Sequence, residues 1–337
     1  MASRVIASLA DTPFPSDDVE RAQALFSSQS HTAETPLISS PHLSEQAGIA
    51  SVHAKDERSR HGLGSFKALG AAYVIAQDAA RGEAEGQTYV TASAGNHGIS
   101  LAAGAAAHNA RGVVFLADTV PEEFANRLRS LGAVVQWQGK IYEDSMAAAE
   151  QASNDNGWIL LSDSSWAGYY DRPRTLMEGY LVLMKEAVEQ IPEPPTHIFL
   201  QAGVGGLATA CAVQARASWG DAPRIFVVEP EAAPALFESV REGRAQTTSG
   251  PVSNMGRLDC KEPSLIALKG LARDADDFML LTEDEGTRGS EMCSKAGFET
   301  TPSGAAGVAG LLAASNIGAL GLNEHSRALV IVSERAE

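Results

Sequence analysis

The chain has 337 residues, 44% of them hydrophobic, enough to bury the core of two lobes or of one large α/β unit. Its 42 acidic against 26 basic residues leave a formal charge of -16, which repels phosphate backbones and anionic lipid; nucleic acid and membrane surfaces are excluded as expected partners, and small molecules are favoured. Three scattered cysteines, Cys211, Cys260 and Cys293, form no C-x-x-C pair, which argues against a disulfide framework or structural zinc and for a reducing compartment.

The opening stretch MASRVIASLADTPFPSDD is broken by Asp and Pro too early for a secretory signal, and no later run is long and apolar enough to span a bilayer, so a cytoplasmic protein is expected. The first ~50 residues read as loop-rich and able to pack against either lobe. HGLGSFKALG, residues 61 to 70, leads into a run that predicts a helix from Phe66 through Ala80 with Lys67 in its first turn. From about residue 88, short β-branched runs alternate with small-residue helical stretches: TYVTAS, GVVFLAD, AVVQW and WILLSD. A long amphipathic helix follows at RTLMEGYLVLMKEAVEQI, stopped by PEPP, and a second series begins: THIFLQAG, RIFVVEP, DFMLLTE and RALVIVSE. The fold class is therefore α/β, in two lobes, each an open, mostly parallel sheet with helices on both faces. Residues 51–164 form the smaller lobe, and residues 1–50 with 165–337 the larger.

Four stretches carry chemistry. HIFLQAGVGGLATACAVQA is a strand, a glycine-rich turn at Gly203, Gly205 and Gly206, then a helix, an arrangement that lets backbone N–H groups approach a phosphate. The spacing Gly203, Gly205, Ala208, with Glu229 ending the next strand, also satisfies the dinucleotide fingerprint. In TASAGNHGISLAAG, Ser93, Ala94, Gly95, Asn96 and His97 stand at a strand-to-helix junction that can present N–H groups and a hydroxyl to a carboxylate, or simply cap the helix. Lys67 is either a solvated surface lysine or an amine that loses its proton at the positive end of a helix, with few charges nearby, and condenses with an aldehyde. In TTPSGAAGVAGLLAA, Ser303 is an N-cap hydroxyl or a partner for a pyridine nitrogen. No H-E-x-x-H or other ligand cluster appears, so no catalytic metal is expected.

Together these stretches resemble the fold-type II pyridoxal-phosphate enzymes, the tryptophan synthase β and threonine dehydratase group. GSFKALGAAY is similar to the family's Schiff-base segment, SAGNHG to its substrate-carboxylate and ring-oxygen loop, GVGG to its phosphate cup and PSG to the segment at the pyridine nitrogen, all in the family's order. Within the group, ERSRHGLGSFKALG, DSSWAGYYDRPRTLMEGY and MGRLDCKEPS resemble diaminopropionate ammonia-lyase. The resemblance implies pyridoxal 5'-phosphate as cofactor, a small amino acid as substrate and a homodimer, with the larger lobe binding the cofactor and the smaller the substrate. By position it makes Lys67 the imine lysine, Asn96 the partner of the ring oxygen, Gly203, Val204, Gly205 and Gly206 the phosphate loop, and Ser303 the contact to the ring nitrogen. Ser93 through His97 would hold the substrate carboxylate, and Asp163 would lie over the substrate. Where the diaminopropionate enzymes carry an acid just before GNHG, this chain has Ala94, which opens the site to an L-β-hydroxy amino acid.

The activity implied is α,β-elimination of a β-amino or β-hydroxy group, with Lys67 as base at Cα and Asp163 serving the leaving group, yielding a 2-oxo acid and ammonia. Two other readings stand beside it: a nicotinamide-dependent oxidoreductase built on Gly203, Gly205, Ala208 and Glu229, and a binding protein that kept the fold and lost the chemistry. Trp166, Tyr169 and Tyr170 are either an aromatic wall of the side-chain pocket or core.

Overall fold

The structure is a computed structural model that describes residues 6–28 and 33–336. Among the described residues ten strands form in chain order: β1 (Leu37–Ser39), β2 (Ser51–Asp56), β3 (Thr88–Ala92), β4 (Arg111–Leu116), β5 (Val134–Trp137), β6 (Ile159–Leu160), β7 (His197–Gln201), β8 (Arg224–Pro230), β9 (Asp277–Leu281) and β10 (Arg327–Val332). They build a six-stranded sheet in the order β1-β2-β10-β7-β8-β9 and a four-stranded sheet in the order β5-β4-β3-β6. All pairings are parallel except that of β1 with β2.

Successive side chains of a strand point to opposite faces, and a parallel sheet covered on both faces needs apolar residues at every position. The larger sheet meets that demand. Ile198, Leu200, Ile225, Val227, Leu329 and Ile331 share one core with the helices Asp171–Gln190, Gly206–Trp219 and Leu265–Asp274. The alternate residues Phe199, Phe226, Val228, Ala328, Val330 and Val332 belong to a second core with the helices Pro41–Ala47 and Pro302–Asn316. In the smaller sheet, Val90, Ala92, Val113 and Phe115 pack with Ala149 of the helix Tyr142–Asn156. Its other face contributes Tyr89, Val114 and Leu116 to the first core, so that core is continuous between the two sheets.

Two expectations need correction. Residues 51–56, assigned from sequence to the smaller lobe, form β2 and pair in parallel register with β10, Ser51 opposite Arg327 through Asp56 opposite Val332, deep in the larger sheet. SVHAKD hides this because Lys55 is fully buried on an ion pair with Glu186 at 2.7 Å, a partner remote in sequence. The helix expected from Phe66 through Ala80 is broken: Phe66–Leu69 is a short 3-10 turn, Gly70 (φ -95, ψ -93) changes the chain direction, and an α-helix runs from Ala71 to Ala80. A Cβ at residue 70 would stand 2.7 Å from the Tyr180 hydroxyl oxygen, so glycine is required at the bend. Of the segment 1–50, residues 1–5 and 29–32 lie outside the described residues; the rest holds the helix Val19–Ser27, β1 and the helix Pro41–Ala47.

Candidate active site

Lys67 sits on the short turn after Ser65, whose extended backbone forms a bridge with Glu334 beyond β10. The Phe66 N–H donates to the Ser333 carbonyl at 3.0 Å, so the end of β10 clamps this segment. The Lys67 ammonium, one-fifth exposed, donates to Asp163 in the loop after β6 and lies over the Phe66 and Tyr180 rings. Burial alone would lower the lysine's pKa; the charge and hydrogen bond of Asp163 outweigh it and hold the pKa above its ordinary value. Burial likewise works against the Asp163 carboxylate, and Lys67 holds its pKa below the ordinary range. The expectation of few charges nearby is therefore corrected: Asp163 pairs with the amine and favours its charged form.

The loop between β3 and the helix Asn96–Ala107 faces this pair. Ser93 Oγ accepts from the Gly95 N–H at 3.2 Å, and no side chain caps the helix at Gly95. His97 does not cap the helix; its Nε2 lies 2.8 Å from the Leu161 carbonyl, two residues before Asp163, and burial lowers its pKa. Asn96 donates through Nδ2 to Glu334 at 2.6 Å. Arg257 spans the loop and the larger sheet's helices. Its Nη1 donates to the Ala94 carbonyl at 2.9 Å, and its backbone N–H donates to Ser303 Oγ at 3.1 Å. Ser303 is buried and is not the N-cap that its position suggested; Thr301 is, accepting from the Gly304 N–H at 3.0 Å. With its oxygen already accepting from Arg257, the Ser303 hydroxyl retains its proton for an acceptor such as an unprotonated ring nitrogen.

At the carboxyl end of β7, Gly205 (φ +102) stands at the start of the helix Gly206–Trp219, which no side chain caps. A Cβ at Gly205 would lie 3.0 Å from the Ala267 side chain, and one at Gly203 2.9 Å from Cys260 Sγ. Val204 is held by its carbonyl, which accepts from the Ser264 N–H at 3.0 Å. Backbone N–H groups at an uncapped helix start, with no side chain in the way, form an anion cradle. Glu229 does not present its carboxylate to a ribose. Both its oxygens accept backbone N–H groups, from Leu236 at 2.8 Å and Phe237 at 2.7 Å, at the start of the helix Ala235–Glu242.

A family model described as "Pyridoxal-phosphate dependent enzyme" matches residues 29–334. The chain belongs to that family. A diaminopropionate ammonia-lyase of Salmonella typhimurium is 32% identical over 263 residues, a stretch covering 70% of this chain and 65% of that protein. The L-serine dehydratase/L-threonine deaminase of Mus musculus is 30% identical over 216 residues, covering 64% of this chain and 62% of that one. Among solved structures, diaminopropionate ammonia lyase from Escherichia coli in complex with an aminoacrylate-PLP azomethine reaction intermediate superimposes with a TM-score of 0.88 at 27% identity, covering 95% of this chain and 89% of that one.

The site fits the cofactor of these pyridoxal-phosphate-dependent enzymes. It has an uncapped helix start after β7 whose glycines leave no room for a side chain, the Lys67 amine, and a serine hydroxyl whose oxygen accepts from the Arg257 N–H. Loops after β3, β6, β7 and β10 bring together Lys67, Ser93 to His97, Asp163 and Ser303. Sequence reasoning missed Arg257 and Glu334, and read Tyr169 only as pocket wall or core. Tyr169 Oη donates to the Leu160 carbonyl at 2.9 Å, accepts from the Ser162 N–H at 3.1 Å and stacks on Trp166, bracing the loop that carries Asp163. Only the MGRLDC stretch had marked the neighbourhood of Arg257; nothing local marked Glu334.

Proposed function

We propose that this enzyme catalyses α,β-elimination on a small amino acid with a β-amino or β-hydroxy leaving group, releasing a 2-oxo acid and ammonia. The observation that carries the reading is the contact between the Lys67 ammonium and the Asp163 carboxylate, two groups between which a proton can pass, beside an uncapped helix start. Pyridoxal phosphate, when bound, supplies the electron sink. Gly203, Val204, Gly205 and Gly206 hold its phosphate, Asn96 its ring oxygen and Ser303 its ring nitrogen. The N–H groups of residues 93–97 take the substrate carboxylate, which the positive end of the helix favours. Lys67 Nζ, as the free amine, removes the Cα proton and passes it through Asp163 to a departing hydroxyl; as a carboxylate, Asp163 grips a departing ammonium. The released aminoacrylate hydrolyses to the 2-oxo acid and ammonia.

A specific observation favours an L-β-hydroxy substrate over diaminopropionate. Position 94 is alanine, and the group lying against its carbonyl is the cation of Arg257, so this edge of the site offers a β-ammonium no anion from residue 94. The test is to load the protein with pyridoxal phosphate and assay 2-oxo acid from L- and D-diaminopropionate, serine, threonine and bulkier β-hydroxy amino acids. Release from L-hydroxy compounds, abolished at least about 10³-fold by Lys67→Ala, is expected. Release that Lys67→Ala leaves intact, or none from any amino acid, would overturn the assignment. The same reading places the protein in the cytoplasm, where the free, buried Cys211 and Cys293 stay reduced, and makes it a homodimer, which sedimentation equilibrium checks.

A further inference from the structure

We propose that Glu334 is a positioning residue for Asn96, fixing which end of the asparagine amide is presented to the cofactor ring; the inference rests on the cofactor site proposed above. Glu334 follows β10, and its side chain is 6% exposed. Its carboxylate accepts from Asn96 Nδ2 at 2.6 Å and from Thr301 Oγ1 at 2.5 Å, and stands 3.8 Å from Arg257 Nε. Its backbone carbonyl accepts from Thr300 Oγ1 at 2.5 Å, which anchors the residue against the start of the helix Pro302–Asn316.

An asparagine amide has two nearly isosteric ends, one donating and one accepting, and rotating it by half a turn exchanges them. An ionised carboxylate accepts only, so it tolerates the NH₂ end and repels the carbonyl end. Glu334 therefore turns the Asn96 NH₂ group inward and leaves its second N–H to donate to an anionic ring oxygen. Thr301 and Arg257 hold the carboxylate in place, and the guanidinium balances its charge. The arrangement joins the first turn of the helix Asn96–Ala107 to the end of β10, so the ring's hydrogen-bond donor is oriented from the other sheet.

The experiment titrates pyridoxal phosphate into the apoprotein, read by quenching of tryptophan fluorescence and by the pH midpoint of the visible absorption band, in a double-mutant cycle. The variants are Asn96→Ala, Glu334→Gln, Glu334→Ala and each Glu334 change combined with Asn96→Ala. Glu334→Gln keeps the shape but can accept or donate, so it loses the discrimination without leaving a gap. Affinity about 3- to 10-fold weaker and a displaced pH midpoint are expected for Glu334→Gln, with a larger loss for Glu334→Ala. In the Asn96→Ala background each Glu334 change should cost less than about twofold. Losses of equal size in both backgrounds, or wild-type affinity and midpoint for Glu334→Gln, would overturn the role of Glu334 while leaving the cofactor site standing. A wild-type protein that takes up no pyridoxal phosphate would overturn both.

Discussion

A lysine amine and a carboxylate in contact, each one-fifth exposed, set one another's proton affinity more strongly than water does. Asp163 holds Lys67 protonated, yet condensation with an aldehyde needs the neutral amine. On the proposed roles, the pair slows cofactor uptake and gives turnover an ammonium and a carboxylate between which a proton can pass. Asp163→Asn should separate the two effects. With the charge gone, burial dominates and the lysine's pKa falls, so at neutral pH the apoprotein should take up pyridoxal phosphate several-fold faster, measured by stopped-flow absorbance. Steady-state 2-oxo acid formation by the loaded variant should fall about 10²-fold or more. Uptake slowed along with turnover would show that the contact has no such role.

At the scale of the element, each helix start near the site is left without a side-chain cap or is given one for a reason. The starts at Gly95 and Gly205 have no cap, which keeps their N–H groups for ligands. The first turn of the helix Ala235–Glu242 is capped by the Glu229 carboxyl, whose residue lies in β8. Burial raises that carboxyl's pKa from the ordinary 4.5 to about 8, against the two backbone hydrogen bonds. A carboxyl that binds its proton more tightly in the fold than in the unfolded chain contributes stability in full below its unfolded pKa, and that contribution is lost as pH rises through the folded pKa. The wild-type unfolding midpoint in urea should therefore decline between about pH 5 and pH 9, and Glu229→Gln should flatten the decline. A variant with the wild-type slope would show that Glu229 is already ionised at pH 5. Strand, glycine turn and helix were legible here because each signal is local. The purpose of Glu229 was not, because its partners lie on a helix whose start only packing defines.

Across the whole molecule, the lysine segment is tied to the long helix Asp171–Gln190 by a buried ionic cluster. Arg60 donates to Glu57 at 2.7 Å and to Glu186 at 2.6 Å, Lys55 pairs with Glu186 at 2.7 Å, and Thr35 Oγ1 donates to Glu57 at 2.6 Å. Two cations and two anions balance, and all four side chains are at most 4% exposed. Glu186→Ala would leave Lys55 and Arg60 with Glu57 alone, so a loss of about 3–5 kcal/mol is expected in equilibrium denaturation. A change below about 1 kcal/mol would mean that water or Lys55 deprotonation compensates. Among the described residues no helix is long and apolar enough to cross a membrane.

The sequence by itself pointed to the α/β class, eight of the ten strands among the described residues, the glycine turn and Lys67, because β-branched apolar runs, glycine spacing and helix starts are each written within a few residues. Tertiary structure alone decided what those residues meet. Lys67 finds Asp163 at a separation of 96 residues, and Asn96 finds Glu334 at 238. β2 lies in the larger sheet with its buried lysine neutralised by Glu186. Such pairings depend on which chain ends a parallel sheet brings side by side, and strand order is set by the joint burial of both faces rather than by any one stretch of residues.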